Sequence, residues 1–219
     1  MQYTHNPIDI PDLETSYKNG LRYYHCGDNK YPSITSVLGS EPKPYLIEWR
    51  NRIGNSAADK EMQRCATRGT NVHALAELYL NNMEIDKSKY EKSDIVMFNK
   101  LKVGLAKIDN ILAQECALHS DFLEVAGRCD VVAHYNNKLS IIDFKTSNGV
   151  KTEEQVFDYF LQETFYMMAL LEQTGIEAEQ IVTIISVEKQ LAPQIFIKSP
   201  KPYIKPLMHR IDKFYKREY

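Results

Sequence analysis

Between residues 45 and 111 the apolar side chains return every three or four positions, the spacing of one helix face. YLIEWRNRI (45–53) predicts a short helix. A longer one is expected to begin at Ser56, with Asp59 three residues on as a weaker capping box, and to carry Val72, Leu75, Ala76, Leu78 and Tyr79 on its apolar face. Ser93 is expected to cap a third helix through about residue 111, along Ile95, Phe98, Leu101, Leu105 and Ile108. The pattern then changes. ILAQECAL, FLEVAGRCDVVAHY and KLSIIDFKT are rich in β-branched residues and separated by short polar turns, which predicts three antiparallel strands. After Lys151 the helical period resumes through Val156, Phe160, Leu161, Thr164, Phe165, Met168 and Leu171, and Gly175 closes it. QIVTIISVE and QIFIKS predict two more strands, followed by a basic, aromatic C-terminal helix. The first forty residues, rich in Asn, Pro, Gly and Tyr, predict irregular structure around short strands, ending at YPSITSVLG.

That order is an α+β layout, a sheet flanked by helices, within a single domain. We divide it into an N-terminal helical accessory part (1–110), an αβββαβ core (111–198) and a C-terminal helix (199–219). A net charge of −2 excludes a general polycation, so any nucleic-acid binding must come from a local patch. No apolar run approaches the ~20 residues of a membrane span, and the N-terminus has neither a secretion signal nor an evident transit peptide, so a cytoplasmic location and no membrane partner are expected. The four cysteines form no CxxC pair and have no histidine at metal-ligand spacing, so no zinc or iron–sulfur site is expected.

The chemistry is concentrated in IIDFKTS (141–147), where Asp143 and Lys145 interrupt a strand that otherwise reads as buried. Asn136-Asn137 suits a two-residue hairpin turn, because asparagine tolerates positive φ. That turn sets Tyr135 opposite Lys138 and Val132 opposite Ile141, and so places Asp130 opposite Asp143 with Cβ atoms roughly 5 Å apart. Lys145 shares the face of Asp143, and Cys129, Val131, Ile142 and Phe144 are expected on the apolar one. Facing carboxylates repel, so a proton, Lys145 or a divalent cation must neutralise them. At this level an Asp–Lys pair on a polar sheet face and a metal-assisted phosphodiesterase site both remain open.

AGRCDVV followed by LSIIDFKTS resembles the PD-(D/E)XK nuclease superfamily, in which the first aspartate follows a glycine and the second opens D-x-K. RGTNVHALAEL (68–78), ECAL (115–118) and QETFY (162–166) fall in the order of its RecB-like branch. Within that branch YPSITSVL, Trp49, GRCDVV and IIDFKTS resemble the mitochondrial genome maintenance exonucleases and related phage exonucleases. The resemblance implies a restriction-endonuclease-like core with a central mixed sheet. It implies Lys145, Asp143, Asp130 and Glu115 as catalytic residues, and His73, Asp130, Asp143 and the Phe144 carbonyl as ligands of Mg²⁺ or Mn²⁺. Neither an iron–sulfur cluster nor a nucleotide cofactor is implied.

Gln162 and Tyr166, four apart on one helix face, hold nucleic acid or support the lysine in that family. Arg64 and Arg68, one turn apart before His73, suggest phosphate contacts. Thr146 and Ser147 could donate to the same backbone, and the basic C-terminal helix with Tyr203, Phe214, Tyr215 and Tyr219 has a composition suited to a single strand. The expected activity is therefore a metal-dependent DNA exonuclease acting on single-stranded or flap DNA in replication, repair or recombination. A helicase, annealing or single-strand-binding protein would act in trans, since the chain has no P-loop. The rivals are a duplex-end exonuclease of the phage recombination type, working with an annealing protein, and an inactive DNA-binding scaffold of the same fold.

Overall fold

The computed structural model describes residues 2–218. Five strands form the central sheet: β4 (Ile108–Ser120), β5 (Val125–Tyr135), β6 (Lys138–Ser147), β7 (Gln180–Val187) and β8 (Gln194–Lys198), in that spatial order. All neighbours are antiparallel except β6 and β7, which run parallel because α5 (Phe157–Thr174) carries the chain across between them. The sheet is thus mixed, and the fold class is α+β as the pattern predicts.

The hairpin forms as its turn dictates. Asn136 and Asn137 have φ of 50° and 64°, and Tyr135 pairs with Lys138. The register then runs through Val132–Ile141 to Val131–Ile142, the pair directly before Asp130 and Asp143. Beyond it the two strands part. One expected consequence of strict alternation fails there. Val131, Ile142 and Phe144 join one core, but Cys129 joins the other, beside Cys116. The cause is local: Glu115, on the neighbouring strand between Gln114–Val131 and Cys116–Cys129, has a φ of 46°, which breaks the pleat.

Helices cover both faces of the sheet. One face packs against α5, the short α1 (Ile34–Gly39) and α6 (Lys201–Glu218) through Val132, Ile141, Phe160, Phe165, Leu207 and Phe214. The other packs against α3 (Asn55–Leu80) and α4 (Lys92–Leu105) through Val72, Leu75, Phe98, Leu101, Val182 and Ile184. α4 ends six residues before the expected boundary, and β4 has begun by Ile108, because Ile108 and Ile111 suit a strand as well as a helix face. Neither Ser56 nor Ser93 caps a helix, the N-caps of α3 and α4 being Gly54 and Glu91. Gly175 does close α5, in the left-handed region at φ 72°.

The N-terminal part is less helical than its label. β1 (Thr15–Lys18), β2 (Leu21–Cys26) and β3 (Asn29–Pro32) form a second antiparallel sheet, anchored to β5 by a Ser33–Ala126 bridge. α2 (Pro44–Ile53) buries no residue and leaves Tyr45, Leu46 and Ile47 exposed. Tyr219 lies outside the described residues. Among these no helix is long and apolar enough to cross a membrane.

Candidate active site

Where β5 leaves β6, the Asp130 carboxylate occupies the opened edge. Its Oδ2 accepts the Phe144 N–H at 2.7 Å, replacing the ladder bond that β5 no longer supplies. The same oxygen lies 3.5 Å from Nδ1 of His73, which α3 brings across the sheet. His73 is positioned by its helix, whose Val72 and Ala76 are fully buried against the sheet, and its ring sits edge-on to Phe144 at 6.2 Å. The positive φ of Glu115 turns its carboxylate inward, and ligand atoms of His73, Glu115 and Asp130 all fall within 4.8 Å of one another.

Asp143 is 1% exposed and forms an ion pair with Lys145. Gln162 donates to Asp143 Oδ1 at 3.3 Å and to the Tyr166 hydroxyl at 3.1 Å. Tyr166 in turn lies against Gly127, where a Cβ would stand 2.8 Å from its ring, so the glycine before the motif aspartate is required for close approach. The Lys145 ammonium lies 5.1 Å from the Tyr159 ring centroid on α5.

The electrostatics are those of a site with too many acids. Burial, then the Asp130 charge, pushes Glu115 up to about 7. Burial would lower His73, but Asp130 outweighs it and holds the imidazole at about 9. Burial raises Asp143 to about 6 in spite of Lys145. Asp130 alone is lowered, since His73, Lys145 and the Phe144 N–H together outweigh its burial. Protons and Lys145 neutralise the cluster here. A divalent cation would do the same, and one imidazole among carboxylate oxygens suits Mg²⁺ or Mn²⁺.

The expected nucleic-acid contacts divide. Gln162 and Tyr166 are buried and fix Asp143. Arg68 is 4% exposed, pairs with Glu188 at 2.9 Å and donates to Asn148 at 2.7 Å. Arg64 pairs with Glu61 and Glu188. Both arginines therefore join α3 to the loop after β6 through Asn148 and to the segment after β7 through Glu188, and Glu61 holds Arg64 from within α3. The Ser147 hydroxyl is committed to the Gly149 carbonyl at 2.6 Å. Four basic side chains of α6 are likewise engaged: Arg210 with Asp158, Lys213 and Arg217 with Glu41, and Lys216 with Asp212.

Two cavities meet the site. One of about 540 Å³ is lined by His73, Glu115, Asp130 and Lys145 together with Arg22, Thr35 and Arg128. The other, about 910 Å³, lies under α2 and holds Tyr45, Trp49, Thr146 and Tyr159. Sequence reasoning passed over Tyr159, although it lies one turn before Gln162 on the same helix. It also missed Arg22 and Arg128. Arg128 sits inside GRCD and could have been suspected, but nothing local marks Arg22.

Residues 89–194 match the PD-(D/E)XK nuclease superfamily. Mitochondrial genome maintenance exonuclease 1 from Xenopus tropicalis is 26% identical over 174 residues, covering 75% of this chain and 50% of that protein. The Homo sapiens protein of the same name is 30% identical over 164 residues, covering 67% and 46%, and the Mus musculus protein 27% over 151 residues, covering 65% and 45%. The chain thus spans about half the length of the curated relatives it matches.

Proposed function

The chain belongs to the PD-(D/E)XK nuclease superfamily, and from that premise we propose that it is a divalent-metal-dependent exodeoxyribonuclease acting on single-stranded or flap DNA. The observation that carries the reading is the convergence of His73, Glu115 and Asp130 within 4.8 Å, beside the Asp143–Lys145 pair. An idle DNA-binding scaffold has no use for such repulsion between buried acids.

His73, Asp130, Asp143 and the Phe144 carbonyl would hold the cation, with Glu115 beside it. The N–H and C=O of a strand residue point to the same side, so the Phe144 carbonyl faces the edge that β5 has left. When bound, the cation lowers the pKa of water and offsets charge on the scissile phosphate. The chain's own groups do the rest. Gln162 fixes Asp143, Asp143 fixes Lys145, and the ammonium holds the attacking water or the developing charge on phosphorus oxygens. Water oxygen bonds to phosphorus, the bond from phosphorus to the leaving oxygen breaks, and a proton ends on that oxygen.

The preference for a single strand rests on the 910 Å³ groove, whose Tyr45, Trp49 and Tyr159 suit stacking of unpaired bases. Exonuclease action is supported by the names of the relatives. The test is digestion of end-labelled single-stranded, duplex and flap DNA with Mg²⁺, Mn²⁺ or EDTA. Wild type should digest the first and third only with metal, and Lys145→Ala should lose at least about a hundredfold in rate. A wild type inert on every substrate refutes the reading. A Lys145→Ala variant as fast as wild type refutes the site.

A further inference from the structure

We propose that Arg22, assisted by Thr35, forms an anion subsite in the wall of the acidic cavity and takes a backbone phosphate next to the one cleaved. The inference rests on the nuclease reading above and adds a residue to it. Arg22 comes from β2, in the small N-terminal sheet, outside every motif named in the sequence. It lines the same cavity as His73, Asp130 and Lys145.

The cations of that cavity differ in how they are engaged. Lys145 is paired with Asp143. Arg128 is bound to Asp12 and to the Glu115 carbonyl. Arg22 is half-buried, and among the described residues no carboxylate pairs with it. A guanidinium partly withdrawn from water without a counter-charge is costly, and a phosphate entering the cavity offsets that cost. A second guanidinium, that of Arg128, lines the same cavity and strengthens the attraction for an anion.

The arginine is also held ready. Its N–H donates to Ser36 Oγ at 3.2 Å, and its carbonyl accepts from the Ser33 N–H at 2.8 Å, so its backbone is tied to α1 at both groups. The guanidinium carbon lies 5.3 Å from the ring centroid of the fully buried Tyr24. An arginine stacked this way keeps its edge donors for a bidentate acceptor, the geometry that matches a phosphate. The exposed Thr35 hydroxyl lies in the same lining, 3.0 Å from Ser33 Oγ, and an incoming phosphate oxygen would take its proton in place of that neighbour.

The experiment measures binding and cleavage separately. Fluorescence anisotropy of a labelled single-stranded oligonucleotide in EDTA is followed against NaCl concentration for wild type, Arg22→Ala, Arg22→Lys and Thr35→Val. Arg22→Ala should weaken binding about tenfold and reduce the salt slope by about 1. Arg22→Lys should keep the slope but recover only part of the affinity, since an ammonium is not bidentate. Thr35→Val, which removes no charge, should weaken binding with the slope unchanged. In the digestion assay with metal, Arg22→Ala should raise KM and leave kcat within about twofold.

Oligonucleotides with a 5′-phosphate and with a 5′-hydroxyl identify the occupant. A loss confined to the phosphorylated strand assigns the subsite to a terminal phosphate, and an equal loss assigns it to an internal one. Unchanged affinity and slope in Arg22→Ala, with wild-type cleavage intact, overturn the subsite alone. A wild type that neither binds nor cleaves DNA overturns the nuclease reading and this inference with it. Should Arg22→Ala fail to fold, equal affinity of Arg22→Lys and wild type is the refuting result.

Discussion

Replacing Gly127 with alanine should damage the site through packing alone. The added Cβ would stand 2.8 Å from Tyr166 Cε1, 2.9 Å from Ile34 Cγ2 and 3.0 Å from the Tyr166 hydroxyl. Carbon atoms prefer about 3.5–4.0 Å, so each contact is about 0.5 Å or more too short. Relief is not cheap, because Tyr166 is 1% exposed and Ile34 fully buried. Overpacking of this kind costs about 1–3 kcal/mol. At about 2–4 °C per kcal/mol for a chain of this size, Tm should fall by roughly 2–12 °C. The displaced Tyr166 also pulls on Gln162, whose amide holds Asp143, so digestion should slow as well. Differential scanning calorimetry in EDTA measures the first effect and the end-label assay the second. Adding Tyr166→Phe should restore only part of the Tm, since it removes the hydroxyl contact and leaves that with the ring carbon. A Gly127→Ala protein melting within about a degree of wild type refutes the argument.

Two more expectations concern charge. Saturating Mg²⁺ or Mn²⁺ should raise Tm by relieving repulsion in the acid cluster, by about 2.7 kcal/mol at a hundred times Kd; Asp130→Asn should abolish that rise, and a rise that survives it would place the ion elsewhere. Glu163 is fully buried, donated to by the Thr183 hydroxyl, and raised well above the ordinary carboxylate value of 4.5 by burial and then by Asp143. The folded chain therefore keeps a proton that the unfolded chain releases. That stability is complete below about pH 4.5 and is lost as pH rises through the folded pKa, at up to about 1.4 kcal/mol per unit. Glu163→Gln should flatten the dependence in EDTA as pH rises above about 4.5, and identical slopes in both proteins would contradict it.

The fold was legible where a local rule acts alone. Two asparagines set the hairpin register, and the register placed Asp130 at the end of a ladder leading to Asp143. The helix and strand periods gave the core in order. Reading failed where two rules compete. Ile108 and Ile111 satisfy both periods, so α4 was drawn too long, and the alternation that misplaced Cys129 was broken by a positive φ that no glycine or asparagine announces. The charged residues were the least legible. Whether Arg64 and Arg68 meet a phosphate or Glu188 depends on a loop more than a hundred residues away, and Arg22 enters the cavity through a separate sheet.

The parting of β5 from β6 divides one strand into two regimes of amide exchange. From Ser140 to Ile142 β6 is paired with neighbours on both sides, so its amides are expected to exchange only when the whole sheet opens. From Asp143 onward only β7 continues the ladder, and the Phe144 amide is guarded on the other side by a single carboxylate, Asp130. Protection at that one amide therefore reports whether Asp130 is in place. The other half of the strand reports global stability, and a single exchange experiment separates damage to the site from damage to the fold.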